Sequence, residues 1–470
     1  MASFAEDTFF LSVAELSKKI KAKQISPVAL TEGYLERLER IGPKLGALVT
    51  VTRERALQEA RAAEAEIAAG KWRGALHGIP YGVKDLLATK GIPTTWGAEP
   101  YRNQVFDEDA TVVKRLHEAG AVLLGKLAMV ELAGGFGYNN ADASFTGPGR
   151  TPWNPDFWSG GSSSGPGAAT AAGLVGFSIG SETSGSIVTP AAFSGVSGLR
   201  PTYGRVSRHG AMALCWTLDK LGPMCRTAED CGLVMAAIAG KDPLDASSLS
   251  RPFRLQAAGA KPRRFRIGVI KGTTEKVQPE VRKNFEDALK VLEGFSEIVP
   301  DVPFPEFPYG PAVGTIVSAE GAGAFRELVE SGRSKELRVP NDRWGGYAAS
   351  MTLAVDYIQA MRLRAPMKKA LDGLYAKFDA LVSPTRASVA YPIGPDFDKV
   401  YPGISGGPSV IGAGNLAGQP ALSVLNGFGE NGLPTAFQFT GRAFSDETLV
   451  ALGMAYQART EWHRKRPPTG

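Results

Sequence analysis

The chain has 470 residues, of which 43% are hydrophobic and 21% charged, and its formal net charge is +6 at pH 7. These proportions are typical of a globular protein with a large core. Its 3 cysteines cannot all pair with one another, and its 4 scattered histidines form no HExxH motif, which argues against a disulfide framework and a transition-metal site. The longest apolar runs are about half a membrane span, and acidic groups stand near the start where a signal peptide places basic ones. We therefore expect a cytoplasmic protein. Because its charge is spread diffusely, we expect it to bind neither a membrane nor a nucleic acid.

The N-terminal part, residues 1–75, is predicted to be helical. Ser12 and Glu15 form a capping box ahead of an apolar-periodic segment. Ser26-Pro27 supplies an N-cap followed by a proline at the first helical position. A third helix, rich in Ala, Glu and Arg, is predicted from about Arg53 to Ala69.

Short apolar segments that alternate with helical ones follow from Ile79 onward. This alternation predicts an α/β fold in which helices cover the faces of a sheet. A polar stretch from Lys241 and a segment with four prolines at Val302–Pro311 interrupt the pattern, but no internal repeat or second pattern follows them. We therefore predict one domain over residues 1–470, with residues 241–312 as a surface excursion with insertions. The predicted strands are Ile79–Val83, Ala121–Leu124, Leu174–Ile179 and Ile267–Ile270.

The segment Gly160–Ser186 is almost free of charge, and serine and glycine alternate there with small apolar residues. A flexible linker is disfavoured because Ala168–Ile179 contains a helix-compatible and a strand-like apolar segment that need burial. A phosphate-binding loop needs a lysine directly after its second glycine, and no lysine occurs between Lys126 and Lys220. A serine hydrolase remains, with a reactive hydroxyl beside a cradle of backbone N–H groups.

Two forms of serine hydrolase fit the residues. Gly161–Gly165 matches the G-x-S-x-G nucleophile elbow with Ser163 as the reactive residue, although no strand pattern precedes it and only His209 and His463 follow. The other form uses lysine as the base, which requires a lysine whose neutral form is favoured by desolvation.

Lys84 is the candidate for that base. It ends the apolar segment Gly78–Val83, where a buried strand would deliver it to an interior site. The alternative is an ordinary surface lysine paired with Asp85, and Lys84 taken alone does not decide between the two.

Three blocks of the sequence together resemble the amidase signature family: GIPYGVKD from Gly78, GGSSSG from Gly160 and GSETSGSIVTPA from Gly180. That family includes fatty-acid amide hydrolases, peptide amidases and the A-type subunits of amidotransferases. The resemblance runs in order over roughly residues 10 to 460 and implies the family's fold, a mixed twisted sheet covered by helices. Further matching segments are Gly125–Met129, Gly198–Gly204, Leu221–Met224, Ser383–Thr385, Asn415–Leu422 and Gly432–Pro434.

The resemblance also implies a set of roles. Ser186 corresponds to the nucleophile, Lys84 to the base, and Ser162 to a serine between them that follows a cis peptide bond. Ser162 would accept a proton from Ser186 and pass one to Lys84, so that a short relay replaces histidine. Gly185 lets the backbone turn closely there, and neither a metal nor an organic cofactor is implied. The oxyanion hole corresponds to the backbone N–H groups of Thr183, Ser184, Gly185 and Ser186.

Three positions depart from the family pattern. Glu182 stands where the family commonly has aspartate, Val188 where it usually has arginine, and Ser164 where the family has the first glycine of a second pair. Peptide-amidase-like members share a glutamate at the first of these positions. The departures therefore weaken membership of the tRNA-amidotransferase branch.

We predict an amidase that hydrolyses the C–N bond of small, neutral apolar or aryl amides through a seryl acyl-enzyme, with carbamates and esters as further substrates. Its expected partner is a small-molecule amide, and a homodimer is compatible with the sequence. The alternative is an A-type subunit of a tRNA-dependent amidotransferase, which feeds ammonia to partner subunits. A third interpretation, a silent relative that only binds ligands, is disfavoured because all three triad candidates are present.

The substrate pocket is predicted after the segment that leads into the site. No arginine or lysine occurs from Leu127 to Gly149, which favours an apolar or aryl group over a charged one. Further pocket candidates are the stretches around Phe145, Trp216 and Trp344. The predicted substrate-binding residues are Gly134, Gly135, Phe136 and Tyr138.

Overall fold

An eleven-stranded mixed sheet crosses the part of the chain that this computed structural model describes, residues 4–255 and 264–468. Its strand order is β1-β3-β2-β4-β6-β5-β10-β11-β9-β7-β8. The two groups β3-β2-β4 and β9-β7-β8 are parallel, and the remaining neighbours are antiparallel. The strands are β1 Leu48–Val51, β2 Pro80–Lys84, β3 Val122–Leu127, β4 Phe177–Glu182, β5 Ser197–Arg200, β6 Lys220–Cys225, β7 Phe265–Ile270, β8 Ser296–Val302, β9 Ala380–Pro384, β10 Ala421–Phe428 and β11 Pro434–Thr440.

Helices cover this sheet, which confirms the predicted α/β class. In the described residues they are α1 Val13–Lys21, α2 Pro27–Ile41, α3 Arg53–Ala68, α4 Thr111–Glu118, α5 Ser164–Ala171, α6 Val188–Ser194, α7 Ala228–Ile238, α8 Pro279–Glu293, α9 Tyr309–Ala324, α10 Arg326–Glu330, α11 Pro340–Ser350, α12 Ala354–Tyr375, α13 Val410–Ala417 and α14 Asp446–Gln457. None of these helices combines the length and the hydropathy that a membrane span requires.

Local signals account for the N-terminal helices. The side chain of Ser12 accepts from the backbone N–H of Glu15, whose own carboxylate accepts from the N–H of Ser12, so the predicted capping box is present. Ser26 caps α2 in the same way, with Pro27 as its first residue. Four alanine and isoleucine side chains bury one face of α3, namely Ala56, Ala60, Ala63 and Ile67.

The central parallel strands are buried on both faces. All five residues of β2 and all six of β3 and β4 are buried, as expected for parallel strands that lie between layers of helices. The strand predicted at Leu174 begins only at Phe177, because a short turn follows α5.

Residues 241–312 contain β7, α8 and β8, and these strands form one edge of the common sheet. Residues 256–263 of that range lie outside the described residues. The prediction that this range is an excursion stays a prediction, as do the limits of the single domain.

Candidate active site

Two neighbouring parallel strands end side by side and deliver the candidate residues. Lys84 is the last residue of β2, and β4 ends at Glu182, just before the turn that carries Ser186. Ser162 stands ahead of α5, after a cis peptide bond from Gly161. Ligands of α/β proteins bind beyond the carboxyl ends of parallel strands, and this edge of the sheet has that position.

Lys84 is fully buried, and its neighbours are hydroxyl groups. Its Nζ donates to Ser162 Oγ at 2.7 Å and to Ser181 Oγ at 2.8 Å. The surface pair with Asp85 does not form, because Asp85 instead pairs with buried Lys126 at 3.1 Å. Burial lowers the pKa of Lys84 from 10.5 to about 7, although the negative charges of nearby acidic groups oppose the shift. A large part of the lysine is therefore neutral near neutral pH.

Ser181 is a contact of Lys84 that the sequence analysis missed. It lies in β4, and its hydroxyl accepts from Lys84 as the hydroxyl of Ser162 does. The sequence did contain a signal for this residue, since Ser181 belongs to the family-like block that starts at Gly180. The family resemblance assigns a role to Ser186 of the same block and none to Ser181.

The turn after β4 presents unused backbone donors. No hydrogen bond of the described residues uses the N–H groups of residues 183–186 as donors. Gly185 has φ of +98°, a conformation that side chains rarely adopt and that glycine tolerates. Thr183 Oγ1 donates to half-buried Asp219 at 2.6 Å, which anchors the turn. Converging N–H groups of this kind can bind a developing oxyanion.

The alternative nucleophile Ser163 is engaged elsewhere. Its hydroxyl donates to the carbonyl oxygen of Ser181 at 3.1 Å and accepts from the N–H of Ser181 at 3.2 Å. In the described chain no strand lies between Leu127 and Phe177, so the strand that an elbow requires is missing. The ring of His209 contacts Glu108 at 3.1 Å instead of Ser163. The geometry therefore does not support the elbow.

A cavity of about 730 Å³ opens beside Ser186. The predicted pocket residues Gly134, Gly135, Phe136 and Tyr138 all line it. The stretches around Trp216 and Trp344 contribute Leu214 and Gly345 to its lining, but the rings of Phe145, Trp216 and Trp344 do not line it. Phe145 packs on the guanidinium of Arg102 at 4.6 Å, Trp216 lines a separate smaller cavity of about 200 Å³, and Trp344 is 62% exposed.

A pair of buried carboxyl groups fixes this wall of the cavity. Glu131 accepts from the backbone N–H groups of Arg338 and Val339, each at 2.8 Å, and so ties the turn before Gly134 to the start of α11. Asp342 lies beside it, and burial together with the charge of Glu131 raises the pKa of Asp342 to about 9. In the described residues no group of three His, Cys, Asp or Glu side chains is placed to hold a metal ion.

The Amidase family model matches residues 29–450. The chain belongs to the amidase signature family. It is 36% identical to the A subunit of glutamyl-tRNA(Gln) amidotransferase from Moorella thermoacetica, over 99% of both chains. Among solved structures it resembles peptide amidase from Stenotrophomonas maltophilia, with 32% identity, a TM-score of 0.84 and 98% of each chain covered. It also resembles the A subunit of the same amidotransferase from Thermotoga maritima, with 28% identity, a TM-score of 0.79, and 98% of this chain and 96% of that chain covered.

These comparisons confirm the predicted family and an amidohydrolase type of enzyme. They contradict the main functional prediction, a hydrolase of small neutral apolar or aryl amides, because relatives over nearly the whole chain are named as amidotransferase subunits. The prediction of a small-molecule partner without nucleic acid is wrong for the same reason, since those relatives are named for a tRNA and as one subunit of an assembly. The comparisons favour the alternative instead.

The departure at Glu182 has a structural explanation within this amidase signature site. Its carboxylate accepts from the N–H groups of Ile187 and Val188 at 2.9 and 3.1 Å and pairs with buried Arg200 at 3.0 Å. Burial alone would raise the pKa of Glu182, but Arg200 and its hydrogen-bond donors hold that pKa below its ordinary value. Glu182 therefore holds the start of α6 behind Ser186, and Val188 contributes its backbone to the same contact. Substitutions in this supporting role do not identify a branch of the family.

Proposed function

We propose that the chain is the A-type subunit of a tRNA-dependent amidotransferase, which cleaves an amide and passes the released ammonia to a partner subunit. The observation that carries the proposal is the whole-length similarity to proteins of that name at 36% identity. The burial of Lys84 against Ser162 supports the amide-cleaving half of the reaction.

In this proposal Ser186 attacks the amide carbonyl carbon. Neutral Lys84 takes a proton from the Ser162 hydroxyl, and the Ser162 oxygen takes the proton of Ser186. The 2.7 Å contact between Lys84 and Ser162 suits this transfer, because a neutral amine can accept the hydrogen bond that an ammonium donates. The free N–H groups of residues 183–186 stabilise the oxyanion of the tetrahedral intermediate.

The same relay then runs in reverse. Lys84 returns its proton through Ser162 to the amide nitrogen, the C–N bond breaks, and ammonia leaves while the acyl group stays on Ser186. A water molecule, deprotonated through the same relay, attacks the acyl-enzyme and releases the carboxylate. The reaction is the hydrolysis of a linear amide, and the ammonia is the product that an amidotransferase needs.

Purified chain tests the proposal in two parallel assays. The first measures ammonia released from simple amides without ATP or tRNA, and the second adds ATP, glutamyl-tRNA(Gln) and partner subunits and measures amidation of the charged tRNA. We expect amidation that depends on the chain and is lost in Ser186→Ala. A chain that cleaves amides but never supports amidation would overturn its assignment to such an assembly.

A further inference from the structure

Arg386 brings a positive charge into the cavity beside Ser186. It follows β9, far along the sequence from the catalytic serines, and it is the only charged side chain among the described residues that line this cavity. The sequence analysis did not predict it, because none of its pocket candidates lies near the end of β9.

The guanidinium of Arg386 is poorly satisfied within the protein. No carboxylate of the described residues forms an ion pair with it, and its Nε is buried without a hydrogen-bond partner. Its one hydrogen bond is a long one, 3.4 Å from Nη2 to the hydroxyl of Tyr391. Its Cζ lies 5.8 Å from the ring centre of Phe193, a distant cation–π contact. A half-buried cation with unused donors is unfavourable unless an anion completes it.

Aromatic rings line the same cavity as this charge. Tyr391 packs on Phe397 at 5.1 Å between ring centres, Phe397 stacks on Trp158 at 4.7 Å, and Tyr138 packs edge-on against Trp158 at 5.9 Å. Tyr138 lines the same cavity, and its hydroxyl makes no hydrogen bond with the described residues. The cavity thus offers apolar walls for a short chain and a guanidinium with free donors for its far end.

We propose that Arg386 is a specificity-determining residue that binds a carboxylate of the amide substrate, at the end of the molecule away from the bond that is cleaved. The substrate class is an amide with an apolar spacer and a free carboxylate. A guanidinium can bind a carboxylate through two parallel hydrogen bonds, which suits a site that must discriminate charge. This inference deepens the proposed function and rests on it for the identity of the bond that breaks.

Matched substrates test the charge alone. Succinamate, glutaramate and adipamate are each compared with the corresponding diamide, which has nearly the same shape but no charge. We expect the wild-type chain to have a higher kcat/KM for at least one monoamide acid than for its diamide. In Arg386→Met this preference should fall by about 10- to 100-fold, the range expected when hydrogen bonds to a charged group are lost. Arg386→Lys should retain an intermediate preference, because lysine keeps the charge but loses the planar fork.

Arg61→Met is the matched control, since it removes the same charge from an exposed position on α3. It should keep the wild-type preference, and thermal melts should show that all three variants are folded. A folded Arg386→Met chain with undiminished preference, or a wild-type chain that favours the diamides, would overturn the proposal.

Failure of the proposed function has a separate signature, because these assays contain neither tRNA nor partner subunits. If Arg386→Met loses the preference for the monoamide acid and the wild-type chain does not support tRNA amidation, the anion site is supported and the role in an amidotransferase is rejected. If the isolated chain turns over neither the monoamide acid nor its diamide, calorimetry on Ser186→Ala protein measures the dissociation constant of each. The ratio of the two dissociation constants then replaces the ratio of the kcat/KM values. Equal affinities for adipamate and adipamide there would also overturn the carboxylate site.

Discussion

Replacing Lys84 with methionine should remove amide cleavage and at the same time stabilise the fold near neutral pH. Methionine fills a similar volume and carries no charge to bury. A pKa lowered from 10.5 to about 7 corresponds to about 5 kcal/mol, at about 1.4 kcal/mol per pH unit. Methionine also deprives the hydroxyls of Ser162 and Ser181 of their shared partner, at about 1 kcal/mol each. About 3 kcal/mol of stabilisation therefore remains on the acid side of pH 7.

This stabilisation has a defined pH window. Between pH 7 and 10.5 the unfolded chain binds a proton at Lys84 that the folded chain has lost, so the stability of the wild type rises with pH in that interval. The penalty is fully present below about pH 7 and disappears as pH approaches 10.5. The advantage of Lys84→Met should therefore be largest at pH 6.5, vanish near pH 9, where the penalty has fallen to the about 2 kcal/mol of lost hydrogen bonds, and be reversed by pH 10.

Thermal melts of wild type and Lys84→Met at pH 6.5, 8.5 and 10 measure this difference. The control is Lys19→Met on the exposed face of α1, which should give the same small difference at every pH. The wild type should also show kcat/KM for a neutral amide that rises with pH and levels off above about pH 7, as the base becomes neutral. A Lys84→Met protein that melts below wild type by an equal margin at all three pH values would refute the reasoning.

Four further substitutions test the site and its supports. Ser186→Ala should abolish both turnover and labelling by a serine-directed phosphonate, whereas Ser162→Ala should lower turnover by about 10²–10⁴-fold and retain slow labelling; mass spectrometry that locates the wild-type adduct on Ser162 would reverse these roles. Glu182→Ala leaves the buried guanidinium of Arg200 unpaired, so denaturant melts should show a loss of about 3–5 kcal/mol in the free energy of unfolding, and unchanged stability would contradict the pairing. The pKa of Asp342 is raised to about 9, so the folded chain retains a proton that the unfolded chain loses above about pH 4. Stability should therefore decline as pH rises through that interval, and Asp342→Asn should flatten the decline in thermal melts; parallel curves would contradict this.

Local sequence signals predicted the parts of the structure that depend on neighbouring residues. The capping box at Ser12 and the proline at the start of α2 act within a few positions, and both helices begin where these signals place them. The apolar run before Lys84 likewise predicts a strand that ends on that residue. Sequence could not give the strand order, in which β10 lies beside β5, because contacts between distant segments set that order.

The geometry around Lys84 shows why its environment was only partly predictable. The sequence indicates that a buried strand ends on this lysine, which is enough to expect a lowered pKa. It does not indicate that Asp85 turns away to pair with Lys126, a contact that depends on the register of β2 against β3. That pairing engages the carboxylate next to Lys84 in the chain, and the charges that oppose the lowered pKa of Lys84 are those of Asp219 and Glu182 instead.

The charge of the substrate cavity was out of reach for a similar reason. The segment from Leu127 to Gly149 has no basic residue, and it does form one wall, with Phe136 and Tyr138 facing the cavity. A count of charges along one segment describes one wall only, whereas a ligand experiences the field of all of them at once. Another part of the wall comes from the end of β9, and there Arg386 reverses the conclusion that the local count suggested. The electrostatic character of a site assembled from distant strands is therefore a property of the fold, and it must be judged after the walls have been brought together.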